Sequence, residues 1–335
     1  MPRAPKHYSR SHSFLILTSL LLLPFIFRRS IYRAGSTQVW VVSNNDAKKL
    51  RVIDSAECSS RGTQVMLEGN KWLFHADDLI TKSVVGNGFF EKPISEFIRR
   101  SMSISDGILV DVGANVGVMT SVALFMGRKV VAVEALPDNA LMLWCSASIH
   151  GLNGNLKIYN VPLADTRGAS EILCVCRPQG NPSDGILVRK EEFEEHPYCG
   201  GEKGTVKTCE EELESVTFDE LQISEPIAFM KMDIEGNECR ALEGSLSTII
   251  SGAPCVIHTE FNPSLQVYSN CSMHRSMQTM AALGYSPHIF LWHDQDCSSA
   301  ELTLEGLQEI DVPGAINNIC WKPQVPAAHC NKYSN

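Results

Sequence analysis

Two carboxylates close the apolar part of FMKMDIEGNECRALEGS (residues 229–245): Asp233 and Glu235. Side chains two apart on a strand share a face, so both acids point the same way if the strand persists through Ile234. The run CVIHTEFNP (255–263) repeats that spacing with His258 and Glu260. At the carboxyl ends of neighbouring strands, where open α/β sheets bind ligands, such a set has three uses. It takes a proton from an alcohol, frames the hydroxyls of a sugar, or offers oxygens to a divalent cation; the spacing leaves all three open. Plainer roles compete. Glu235 and Glu238 flank a helix start, where acids favour the dipole, and for Glu238 capping is the better reading. A histidine in an apolar run, like His258, is more often a core residue than a base. For Asp233 the catalytic reading is kept, because a buried carboxylate without a job is costly.

A second constellation lies upstream. LVDVGANVG (109–117) sets Gly113, Asn115 and Gly117 between an apolar run and a helical pattern. Glycines there allow a sharp turn and close approach to a ligand, while a helix start offers free N–H groups. Glu134 ends the next apolar run, where an acid can accept both ribose hydroxyls of an adenosine. The spacing GxNxG is not the GxGxxG of a dinucleotide loop, and Asp111 would repel a diphosphate but suit an ammonium group. The reading is a site for S-adenosylmethionine; the plainer alternative is glycines that only shape a strand-to-helix turn.

To place these residues, apolar runs must alternate with helical stretches. Strands are expected at 108–112, 129–134, 156–161, 227–233, 255–261, 288–292 and 316–321, with amphipathic helices at 116–126, 138–150, 238–250 and 273–283. That rhythm predicts an α/β fold, a seven-stranded doubly wound sheet covered on both faces. A polar connector with a hairpin around Val65–Phe74 is expected over 36–83 and the catalytic domain over 84–322, followed by a tail at 323–335. Residues 163–215 are too long for a simple connection. With EEFEE and CEEELE they predict an inserted flap with a solvated acidic face.

The charge is uneven. The chain of 335 residues carries −9 overall, yet residues 1–45 hold six basic residues and no acid, so the remainder carries −15. Phosphate backbones bind clustered Lys and Arg, which argues against nucleic acid as a partner. FLILTSLLLLPFIF (14–27) is uncharged and apolar. At about 21 Å as a helix it is short for a bilayer core of about 30 Å. An uncut signal anchor is the reading taken, over a cleaved signal peptide or an organelle transit sequence, because Arg28, Arg29 and Arg33 stand where a cleavage site would follow. It predicts a single-pass protein with its body in the lumen of the endoplasmic reticulum or Golgi. The sequon Asn270-Cys271-Ser272 is compatible with that topology. Twelve cysteines show no zinc spacing. Cys145, Cys239 and Cys255 read as small core hydrophobes, and those in polar stretches as disulfide candidates.

Taken together, LVDVGANVG, VAVEALPDN, VTFDEL, MKMDIEGNECRALEGS and IHTEFNP resemble the FkbM-type methyltransferases over about Val84 to Trp321. The resemblance implies a seven-stranded methyltransferase fold and O-methyl transfer from S-adenosylmethionine. It implies contacts from Gly113, Asn115 and Gly117 to the methionine part of the cofactor and from Glu134 to its ribose. Asp165, in the segment that follows the third strand, is a further cofactor residue by the same resemblance. The expected acceptor is a hydroxyl of a glycan or other small molecule. Two rivals stand: a lumenal glycosyltransferase using Asp294 and Asp296 as a DxD-like motif, and a non-catalytic binding module of the same fold.

Overall fold

The apolar runs between helical stretches become one sheet. Its strands are β1 (Ile108–Val112), β2 (Val130–Val133), β3 (Leu156–Tyr159), β4 (Ile227–Met232), β5 (Ile257–Phe261), β6 (Tyr285–Leu291), β7 (Asp296–Glu301) and β8 (Asn317–Pro323). In this computed structural model their order is β3-β2-β1-β4-β5-β8-β6-β7. The first five are mutually parallel. β8 runs antiparallel to both β5 and β6, and β7 antiparallel to β6. The sheet is therefore mixed and has eight strands where seven were expected: the segment after IFLW turns back and pairs instead of leaving the sheet. This is a Rossmann-like architecture with a large mixed central sheet.

The structure describes residue 58 and residues 62–165, 171–177, 181–194, 196, 199, 209, 211–303, 305–306 and 317–330. The apolar segment 14–27 lies outside them. Among the described residues no helix is long and apolar enough to cross a membrane.

All six residues of β4 are buried, Lys231 included, as a central strand covered on both faces requires. The helix Val118–Phe125 is apolar nearly all round and is buried from Val118 to Leu124, the pattern of a helix enclosed by its neighbours. Helices outside the sequence reading include Leu79–Asn87 and Lys92–Ile104. Lys92–Ile104 starts at a proline and buries Ile94, Phe97, Ile98 and Met102, a spacing that puts one apolar face on the core.

The connector is more than a tether. Its hairpin, Thr63–Leu67 with Asn70–Phe74, sinks Trp72, Leu73 and Phe74 completely into the main core. Each such side chain contributes about 1.5–3 kcal/mol. Trp72 Nε1 also donates to the Val116 carbonyl at 2.7 Å, so the hairpin braces the glycine loop.

The insertion leaves and re-enters the domain at one point, where Leu163–Ala164 pairs in parallel with Val216–Thr217. Beyond that stem, Ile172–Cys176 is the middle strand of a small antiparallel sheet with Ile186–Arg189 and Glu212–Glu214. Its acids partly fulfil the expected solvated face: Glu191 and Glu194 are exposed, while Glu171 and Glu192 pair with Arg189.

All twelve cysteines are bridged: Cys58–Cys145, Cys174–Cys209, Cys176–Cys199, Cys239–Cys271, Cys255–Cys330 and Cys297–Cys320. This corrects the reading of Cys145, Cys239 and Cys255 as unpaired core residues. They are buried, but each lies opposite a partner. Two bridges staple the insertion to itself, and Cys255–Cys330 ties the tail to the segment entering β5.

Candidate active site

A cavity of about 300 Å³ opens at the carboxyl ends of β1, β2, β4 and β5, the size of a small-molecule site. One wall is the glycine loop. Gly113 has φ +75°, and a Cβ there would lie 1.8 Å from the Asp233 carbonyl oxygen. Gly117 has φ +89°, and its Cβ would lie 2.1 Å from Leu143. These glycines are therefore demanded by neighbouring protein atoms, whatever ligand binds. Gly113 lines the cavity and Gly117 does not.

Glu134 ends β2 and faces the same space. Its carboxylate accepts the Asn115 amide at 2.7 Å and the Leu136 amide at 2.8 Å. Burial nevertheless pushes it up to about 7, against the pull of those two amides. The Asn115 side chain donates to the Ser183 carbonyl at 3.0 Å, and Asn139 donates to the same oxygen at 2.8 Å. Asp78 accepts the Ser183 amide at 3.0 Å and its hydroxyl. Ser183 thus pins the insertion over the cavity and brings Asn181, Asp184, Gly185 and Leu187 into its wall. Sequence reading gave the insertion no such place.

On the opposite side stand Asp233, Glu235 and Glu260, with Glu91 from the cap of the helix Lys92–Ile104. Lys231 enters between them, its Nζ 3.0 Å from Asp233 Oδ2 and 3.4 Å from the Gly113 carbonyl. Burial and the neighbouring Asp233 push the Glu91 carboxyl up to about 7. The same two causes take Glu260 to about 8, with Glu91 adding to them. Burial, then Asp233, Asp184 and Glu260, take Glu235 to about 9. Lys231 is raised despite burial, because Asp233, Asp111 and Glu91 surround its ammonium. At neutral pH Glu235 and Glu260 therefore favour their protonated forms, and Lys231 keeps its charge.

Several expected site residues stand elsewhere. Asp111 is fully buried in β1, accepts the Thr120 hydroxyl at 2.6 Å and does not line the cavity. The expectation that it holds a ligand ammonium is corrected: that edge belongs to its sheet neighbour Lys231. His258 lies beneath the cavity between Phe229 and Phe290. Neither ring nitrogen has a hydrogen-bond partner among the described residues, and burial drives it down to about 3. It is a neutral core histidine and not the base. Asp165 pairs with Arg240 at 3.8 Å and Arg275 at 3.6 Å, away from the cavity wall. Glu238 closes the turn that precedes its helix, accepting the Ile234 and Gly236 amides at 2.9 and 3.1 Å, instead of capping the helix's own amides. Asp294 is exposed in the turn between β6 and β7, and Asp296 faces Arg100 at 3.9 Å. The DxD-like motif is therefore outside the cavity.

Lys231 and Glu91 went unread. For Lys231 the signal was present: a lysine inside an apolar strand, two residues before Asp233, shares that residue's face. For Glu91 none was, since it reaches the site only through the helix it precedes.

The FkbM methyltransferase domain matches residues 111–287, more than half of the chain. No curated protein sequence matches it. Among solved structures, the chain is similar to a geranyl diphosphate C-methyltransferase from Streptomyces coelicolor A3(2), crystallised with Mg2+, geranyl-S-thiolodiphosphate and S-adenosyl-L-homocysteine. The identity is 14%, with 72% of this chain and 78% of that one covered and a TM-score of 0.37. It is also similar to precorrin 8W decarboxylase from Methanobacterium thermoautotrophicum, at 14% identity, 68% and 89% coverage and a TM-score of 0.32.

Proposed function

The chain belongs to the FkbM methyltransferase domain family, and from that premise we propose that it is an S-adenosylmethionine-dependent O-methyltransferase acting on a hydroxyl of a glycan or other small molecule. The observation that carries the reading is the cavity's crowd of carboxyl groups. Among the described residues, Glu91, Glu134, Asp184, Asp233, Glu235 and Glu260 line it against one cation, Lys231. Burial, joined at Glu91, Glu235 and Glu260 by the neighbouring acids, holds these groups toward their neutral forms, and a ligand bearing a sulfonium and an ammonium group would relieve that crowding by favouring the charged forms. Gly113, Asn115 and Glu134 would hold the cofactor, the last through its ribose hydroxyls. Bound there, S-adenosylmethionine would supply an electrophilic methyl group for the acceptor oxygen.

The chain's own residues have the remaining tasks. Asp233 receives the acceptor's hydroxyl proton, and the protonated Glu235 and Glu260 hydrogen-bond the neighbouring hydroxyls. The insertion, held by Ser183, excludes water. Six disulfides support an oxidising compartment, and Asn270 of the sequon is exposed. Both suit a body in the secretory lumen, held to the membrane through residues 14–27.

The test is calorimetry of the full chain with S-adenosylhomocysteine, S-adenosylmethionine and sugar nucleotides, then methyl transfer to a panel of glycans with and without a chelator. Glu134→Ala is expected to weaken S-adenosylhomocysteine binding by about 10- to 100-fold, the worth of hydrogen bonds to a charged group. Binding of sugar nucleotides alone would sink the proposal.

A further inference from the structure

The cavity contains a lysine whose chemistry the proposed reaction has not used. Lys231 is almost wholly buried, and a buried ammonium is costly unless it is paired. The register of β4 places it beside Asp111 on β1 and beside His258 on β5. His258 is neutral, so it neither competes for the ammonium nor shares its charge. Asp111 is committed through one oxygen to Thr120. The other charged groups facing Lys231 among the described residues are Asp233, at 3.0 Å, and Glu91, Glu134 and Glu260 across the cavity. Its third direction is taken by the Gly113 carbonyl at 3.4 Å.

One ammonium thus ties the backbone of the cofactor loop to the carboxylate on the acceptor side. We propose that Lys231 is a positioning residue: through its ion pair it fixes the Asp233 carboxylate in the orientation and charge state that receives the acceptor's proton, and it registers that carboxylate against the glycine loop. This rests on the methyltransferase reading of the same cavity. Lys231 itself is no base. It keeps its proton through the working pH range, because three carboxylates surround it. An acceptor hydroxyl approaching Asp233 meets a carboxylate paired with a cation, whereas Glu235, with four acids around it, has no such partner among the described residues.

The test has a part that needs no acceptor. In full chain carrying 15N-lysine, the Lys231 ammonium resonance is expected to persist to pH 10 and to move in Asp233→Asn. A resonance indifferent to Asp233→Asn overturns the ion pair, whether or not an acceptor is known. With an acceptor in hand, Lys231→Met is expected to lower kcat by about 10²–10³-fold, within the range for general-base assistance. Binding of S-adenosylhomocysteine should stay within about threefold, below a tenfold change of about 1.4 kcal/mol. The acid limb of its pH–rate profile moves upward, and Lys231→Arg restores most of the rate and the wild-type limb. In an Asp233→Asn background, Lys231→Met should add no further loss, and this neutral pair also covers the case in which the single variant fails to fold. An unchanged profile in Lys231→Met, a loss of cofactor binding, or additive losses in the double variant would each overturn the positioning role. Absence of transfer to any acceptor with an intact Asp233-sensitive resonance counts against the methyltransferase reading and leaves the ion pair standing.

Discussion

The two halves of the cavity are built by opposite means. The half proposed for the cofactor is a backbone device: Gly113, Asn115 and Glu134 lie within 22 residues of one another, and loop amides and a close backbone contact set its shape. The half proposed for the acceptor is a charge device. Glu91, Asp184, Lys231, Asp233 and Glu260 arrive from a helix cap, the inserted loop and two strands. A backbone device is specified locally and tolerates little change in shape. A charge device depends on how far its groups are kept from water, and so it responds to pH and to single substitutions.

Breaking the acceptor side alone has the largest expected effect. Asp233→Asn is expected to lower kcat by about 10²–10⁴-fold, the range for a lost general base, while S-adenosylhomocysteine affinity by calorimetry changes by less than about threefold, under 0.7 kcal/mol. A matching loss of cofactor affinity would show that the halves are not separable. Next comes the backbone device. Gly113→Ala places a Cβ against the Asp233 carbonyl at positive φ and is expected to cost about 2–4 kcal/mol in urea unfolding, with cofactor binding lost in the same variant.

The third prediction uses pH. Glu235 titrates at about 9 in the folded chain against 4.5 for the free group, so the folded state holds a proton that the unfolded state gives up. Its contribution to stability is full below pH 4.5, declines as pH rises and is gone above about 9. Urea midpoints of the ligand-free protein are expected to fall from pH 5 to pH 9, and Glu235→Gln to flatten that fall. A slope unaltered by the substitution would remove Glu235 from the charge device. The smallest expected effect is none: Asp294→Asn should leave transfer and cofactor binding unchanged, because the exposed turn that carries it is outside both halves.

The same contrast explains what could be read beforehand. The glycine loop and Glu134 were legible because a strand, a turn and the next strand end are fixed by nearby sequence. The five parallel strands were legible for a similar reason, since fully buried strands are short apolar runs between turn residues. Asp111 and His258 were misplaced by one geometric fact: alternation says which residues share a face, not how deep along the strand the cavity begins. The disulfides were illegible because Cys58 and Cys145 are 87 positions apart and meet only when the fold brings their Cα atoms to 5.3 Å.

By itself, the sequence determined the alternation of strands and helices, the family and the acids that end β2, β4 and β5, all of which rest on local periodicity and short-range spacing. Only the tertiary structure decided that Lys231 stands between Asp111 and Asp233, that Glu91 and the inserted loop complete the cavity, and that Asp165 and His258 do not. Those outcomes depend on which groups share a small volume shielded from water, where charges interact strongly enough to set one another's protonation, and that is a property of long-range packing.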